Sequence, residues 1–147
     1  MTDETPDISL LGRSPDPSRG ENGQALLHEI STLLKGLLEK EEPGNIDLRA
    51  LPLTHRDYAM LHETLGEGAI SAEVENLGVT RIQQTGVAGV WWITHYNEED
   101  DVIGEFIEVA YCPEGLIADF EAVEEGMDAL QARLVELEYL SKPARKE

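Results

Sequence analysis

The sequence predicts a two-layer α+β fold: a four-stranded antiparallel sheet with two or three helices on one face. Three observations carry that expectation. Residues 22–40 and 54–65 repeat their apolar side chains at helical spacing, residues 70–111 switch to short alternating runs joined by turn residues, and residues 113–137 return to the helical period. Helices segregated in the chain from antiparallel strands belong to the α+β class.

Residues 1–21, rich in Pro, Asp, Ser and Gly, are expected to be a flexible tail carrying a small apolar island at Ile8, Leu10 and Leu11. A single domain should then occupy residues 22–140, with a short tail at 141–147. Asn22 can cap a helix running to about Lys40, in which Leu26, Ile30, Leu33 and Leu37 recur at 4-3-4 spacing and Leu27, Leu34 and Leu38 widen the stripe. Pro43-Gly44 ends it. Ile46 to Leu53 is either an extended connector or an edge strand, because Pro52 has no N–H for a ladder. Thr54 and Asp57 form a capping-box pattern for a helix that buries Tyr58, Leu61 and Leu65 and stops at Gly66.

Ile70, Ala72 and Val74 then alternate with Ser71, Glu73 and Glu75, as a half-exposed strand does. Asn76-Leu77-Gly78 turns the chain into Val79–Thr85, Gly86 and Gly89 bracket a turn before Val90–Tyr96, and Asn97–Asp101 leads into Val102–Tyr111. Four such runs with short connections make an antiparallel meander. Pro113 can open the last helix, where Leu116, Phe120, Val123, Met127, Leu130, Leu134 and Leu137 follow a 4-3-4-3-4-3 spacing. The favoured arrangement lays this helix across the sheet; a homodimer seam is the lesser option.

Composition narrows the function. The formal charge of −19, from 30 acidic and 11 basic residues, disfavours nucleic acid and anionic membrane surfaces and favours basic peptides or protein patches. Residues 66–111 alone carry nine carboxylates (Glu67, Glu73, Glu75, Glu98, Glu99, Asp100, Asp101, Glu105 and Glu108) against Arg81, a net of −8. Such charge is either simple solvation or a field for a cationic segment. One cysteine, Cys112, can form no internal disulfide and cannot by itself hold an iron–sulfur cluster or a thiolate zinc site. The first residues lack a signal-peptide pattern and no run approaches a membrane span, so a cytoplasmic protein is expected.

Chemistry has little to attach to. His55 and His62 lie seven apart with no third ligand in view, so they read as solvent or core histidines. His28 has no defined task, and His95 has no nearby Ser or Cys nucleophile. The acidic run at 98–101 lacks the alternating ligands and central Gly of a calcium loop and reads as a solvated turn. Glu105 and Glu108 differ in strand parity, which separates them as an acid/base pair. No catalytic centre, cofactor or metal site is expected. Trp91 and Trp92 are the informative pair: neighbours on a strand point to opposite faces, so one indole is expected to be exposed as an anchor for a partner. The candidate partner surface is Trp91, Trp92, His95, Glu105 and Glu108. An oligomeric scaffold, or a generic acidic protein-binding domain, is the alternative reading.

The runs Ile46-Asp47-Leu48-Arg49-Ala50-Leu51-Pro52-Leu53, Gly89-Val90-Trp91-Trp92 and Ile103-Gly104-Glu105-Phe106-Ile107-Glu108-Val109 resemble the conserved C-terminal region of the HupH/HyaF hydrogenase expression and formation proteins. The similarity spans about residues 26–137. The resemblance implies an accessory or chaperone protein for maturation of nickel–iron uptake hydrogenase, acting on the iron–sulfur small-subunit precursor, or with other maturation proteins, before twin-arginine export. It also implies that this chain is a single-unit version of a longer protein.

Overall fold

Two helices and one face of a sheet enclose the main core. The computed structural model describes residues 21–143; the island at Ile8, Leu10 and Leu11 and residues 144–147 lie outside the described residues. Helix α1 (Glu21–Lys40) is followed by strand β1 (Gly44–Asp47), a 3₁₀ turn (Leu48–Ala50) and helix α2 (His55–Leu65). Strands β2 (Ser71–Glu75), β3 (Val79–Gln84), β4 (Val90–Tyr96) and β5 (Val102–Val109) form the meander, and a 3₁₀ turn (Glu114–Leu116) precedes helix α3 (Phe120–Ser141).

The sheet has five strands, not four, in the order β1-β5-β4-β3-β2, with every neighbouring pair antiparallel. The added member is β1, whose Ile46 faces Ile107 across the ladder. Its run is too short to show an alternation, and at Leu48–Ala50 the chain has already left the sheet as a 3₁₀ turn capped by Asp47. Pro52 therefore never has to sit in a ladder.

The starts of α1 and α2 both depend on one carboxylate. Thr54 caps α2 through a complete capping box: its hydroxyl accepts from Asp57 N at 3.2 Å, and Asp57 Oδ2 accepts from Thr54 N at 2.9 Å. The other oxygen, Oδ1, accepts from Gly23 N in the first turn of α1 at 3.0 Å. Asp57 is fully buried. Asn22 is not the cap of α1, which begins at Glu21; its side-chain amide instead donates to the Pro52 carbonyl at 3.0 Å. The two helices thus meet start to start, and Gly23 is small because the Asp57 backbone lies against it.

From α1, Leu26, Ile30 and Leu37 are buried, and from α2, Leu61 and Leu65; they close on Ile46, Leu48, Val90, Trp92, Ile107 and Val109. The strand residues alternate as one face requires: Val90 and Trp92 on β4, Ile107 and Val109 on β5. The opposite face holds a second cluster of Ile82, Trp91 and Ile93, with Ala72, Val74 and Phe106 packed against it. Because β4 is central, four consecutive residues, Val90 to Ile93, are buried.

Two turns set the strand register. Gly89, at φ +92°, closes the turn between β3 and β4, a conformation open to glycine without strain. Gly78 lies against the Tyr96 carbonyl so closely that no Cβ would fit.

The chain divides into two compact units, ending at Pro113 and beginning at Glu114. In the second, Asp119, not Pro113, starts the helix, accepting from Ala122 N at 2.8 Å. Helix α3 has no buried residue, so the burial expected of its apolar stripe is not found. Among the described residues no helix is long and apolar enough to cross a membrane.

Candidate functional site

A cavity of about 320 Å³ opens on the helix-bearing face of the sheet, lined by residues of α2, β3, β4 and β5 and their connections. Its floor is Trp92. The imidazole of His62 lies flat on the indole, with ring centres 3.9 Å apart and planes 14° apart. Tyr58, one helical turn earlier on α2, meets the same indole at 6.5 Å. Trp92 Nε1 donates to Glu105 Oε2 at 2.8 Å, which satisfies the polar edge of an otherwise apolar ring. One side chain thus joins a helix, two strands and a carboxylate.

The far side of the cavity is polar. Gln83, Thr94 and Tyr96 line it, with Arg81 held by Glu73 at 3.0 Å and lying 5.8 Å from the centre of the Tyr96 ring. Glu67, just beyond α2, adds a further carboxylate to the rim. Burial pushes the Tyr58 phenol above its ordinary value near 10, and the Glu105 carboxylate reinforces the shift by repulsion and by accepting its hydrogen bond.

That shift has a sign. A native state that holds the phenol proton more tightly than the unfolded chain keeps the full benefit below pH 10 and loses it as pH climbs through the raised value. Urea unfolding of Tyr58→Phe and the native protein between pH 8 and 11 should therefore show a shallower alkaline loss in the variant. Parallel slopes would remove Tyr58 as the cause.

The five candidate partner-binding residues divide between the two faces of the sheet, as the parity of Trp91 and Trp92 and of Glu105 and Glu108 required. Trp92 and Glu105 point to the cavity. Trp91, His95 and Glu108 lie on the other face, where Trp91 Nε1 donates to the Ala110 carbonyl at 3.0 Å and His95 Nδ1 pairs with the Thr80 hydroxyl at 2.8 Å. Nor is either indole exposed: Trp91 retains 5% of its surface and Trp92 6%. The expectation of one wet indole fails because β4 is the central strand and both of its faces carry apolar neighbours. Glu105 and Glu108 are divided between the faces, as their parity required.

Tyr58 and His62 had no assigned role in the sequence, although their i, i+4 relation already placed them together on α2. His55 is exposed at the first position of that helix. In the β4–β5 turn the Asn97 side chain accepts from Glu99 N at 2.8 Å and Asp101 N at 2.9 Å, a locally closed turn that explains the polar run without an ion. Among the described residues no group of three or more His, Cys, Asp or Glu side chains is arranged to hold a metal.

Residues 21–137 match the family described as HupH hydrogenase expression protein, C-terminal conserved region. The hydrogenase expression/formation protein HupH of Rhizobium leguminosarum bv. viciae is 27% identical over 124 residues, which is 84% of this chain and 43% of that protein. Its namesake in Rhodobacter capsulatus is 38% identical over 80 residues, 54% of this chain and 29% of the relative. The chain therefore spans less than half the length of the curated relatives it matches. Among solved structures, the hydrogenase expression protein HupH from Thiobacillus denitrificans superposes with a TM-score of 0.75 at 39% identity, covering 78% of this chain and 96% of that one.

Proposed function

Since the chain belongs to the HupH hydrogenase expression protein family, we propose that it is a cytoplasmic client-binding accessory protein of nickel–iron hydrogenase maturation. The client is the iron–sulfur small-subunit precursor, held before its export. The protein acts as a chaperone and catalyses no reaction of its own.

The observation that carries this reading is the cavity at Trp92. It offers the exposed His62 imidazole over a buried indole and carboxylates at Glu67 and Glu105, and its polar side chains are already hydrogen-bonded, Glu105 with Trp92 and Arg81 with the neighbouring Glu73. Groups tied up in this way suit holding a segment more than transferring a proton to it. The surrounding charge supports a cationic client. Glu73 and Glu75 follow the parity of the cavity-lining Gln83, and Glu98, Glu99, Asp100 and Asp101 are exposed in the nearby turn before Val102. A precursor bearing a basic twin-arginine segment is drawn by such a field, chiefly through its on-rate.

The test is a titration of purified small-subunit precursor, with and without its basic leader, against the full chain. Reversing the rim charge in Glu67→Lys should weaken binding of the leader-bearing precursor about tenfold and flatten its salt dependence, since a steered complex loses its steering with the charge. Glu105→Gln should weaken it less, because an amide still accepts from the indole. Equal binding by both variants, or equal binding of the leaderless precursor, would reject this cavity as the client site.

A further inference from the structure

Helix α3 carries a seam that its own unit leaves uncovered. Phe120, Val123, Met127, Leu130, Leu134 and Leu137 lie between 49% and 76% exposed. A 22-residue helix with no buried residue lacks the tertiary packing that normally stabilises helices in water. The spacing is that of a heptad: Phe120, Met127 and Leu134 take the a positions and Val123, Leu130 and Leu137 the d positions. Val135, Tyr139 and Leu140 are exposed outside that seam, but only the a and d positions run as one continuous stripe along the helix, which matches another helix of the same kind.

The charges decide which helix, and in which direction. Arg133 is the only cationic side chain of α3 and falls at g; Glu138, five residues on, falls at e. In a parallel pair g of one helix lies across from e of the next heptad, so Arg133 meets Glu138 of the partner subunit, and the twofold axis makes the contact twice. In an antiparallel pair e faces e, which sets Glu124 against Glu138 of the partner subunit at both ends. The remaining carboxylates, Glu121, Glu125, Asp128 and Glu136, occupy b, c and f positions and point to water. The like-charged parallel contact, Asp119 with Glu124 of the partner subunit, is at the helix cap, where the Asp119 carboxylate is already bonded to Ala122 N. We propose that α3 pairs with α3 of a second copy as a parallel two-stranded coiled coil, registered by Arg133 and Glu138. The pairing is independent of the cavity and of any client.

Sedimentation equilibrium of the full chain up to about 100 µM should show a monomer–dimer equilibrium, since three heptads give only marginal association. Leu130→Glu should abolish the dimer while the near-ultraviolet spectrum of the two tryptophans, which lie in the first unit, is unchanged. Arg133→Glu and Glu138→Arg should each weaken association about tenfold, and the two together should restore it. In a Cys112→Ser background, Leu137→Cys should form a covalent dimer under mild oxidation, because d meets d only in the parallel arrangement. A monomer throughout the concentration range overturns the pairing. So does a dimer that tolerates Leu130→Glu, as would capture of the seam by another protein alone; a dimer that resists cross-linking at position 137 or is not restored by the double charge reversal overturns its direction and register.

Discussion

Asp57→Ala is expected to lower the stability of the first unit by about 3 kcal/mol, the combined loss of two helix caps and of charge-assisted hydrogen bonds to a buried carboxylate. The carboxylate accepts from Gly23 N, Thr54 N and the Thr54 hydroxyl, and none of its surface is exposed. Truncation leaves those donors without their acceptor at a buried position. Asp57→Asn should recover part of the loss, since one carbonyl oxygen can still accept from Gly23 or from Thr54 but not from both with equal strength. Urea denaturation of the three proteins, with unchanged slope and shifted midpoint, is the measurement. A shift below about 1 kcal/mol for the alanine variant would mean that the helix starts are joined by something other than this residue.

Trp92→Ala should be comparably damaging, by about 3–5 kcal/mol, as expected for an aromatic residue removed from a packed core. The indole belongs to the main core cluster with Leu26, Ile30, Leu61 and Leu65, and it also carries the His62 stack and the Glu105 hydrogen bond. Its loss also takes one of the donors, the indole N–H, from the half-buried Glu105 carboxylate. Thermal unfolding followed by circular dichroism would read the effect. A variant that melts within a few degrees of the parent would contradict the core placement of the ring. The expectation has a practical edge: weak client binding by Trp92→Ala would report unfolding, so the cavity is better probed at Glu67 and Glu105, which line its rim and can change without opening the core.

Much of the fold was legible because local rules were obeyed. The Thr54–Asp57 capping box, the apolar stripe of α1 and the alternation in β2 each follow from neighbours within a few residues; the box is found as expected, the stripe without the exposed Leu38, and the alternation from Ser71 onward with Ile70 exposed before it. The meander turns at 76–78, 86–89 and 97–101 were marked by Gly and Asn, whose chemistry is equally local. Helix boundaries were less exact. Asn22 and Pro113 had the right character for a start, yet the chain begins α1 at Glu21 and α3 after Asp119, because a cap depends on which donor the side chain reaches.

The candidate site was half legible. Trp92 and Glu105 were named, and their shared parity on antiparallel strands places them on one side of the sheet. Tyr58 was expected in the core and His62 read as a solvent or core histidine, neither as part of this site. Nothing within α2 says that its turn at 58–62 will settle over β4, since that contact joins residues thirty positions apart.

By itself, the sequence determined the α+β class, the periodicities of its helices and strands, the acidic surface and the kinship with hydrogenase expression proteins, all properties carried by neighbouring residues or by composition. Only the tertiary structure decided that Ile46 enters a fifth strand, that β4 is central and buries both indoles, and that Asp57 ties two helix starts together. The physical reason is that burial on a sheet depends on what pairs at each edge and packs on each face, and those partners are brought together by the fold across long stretches of chain.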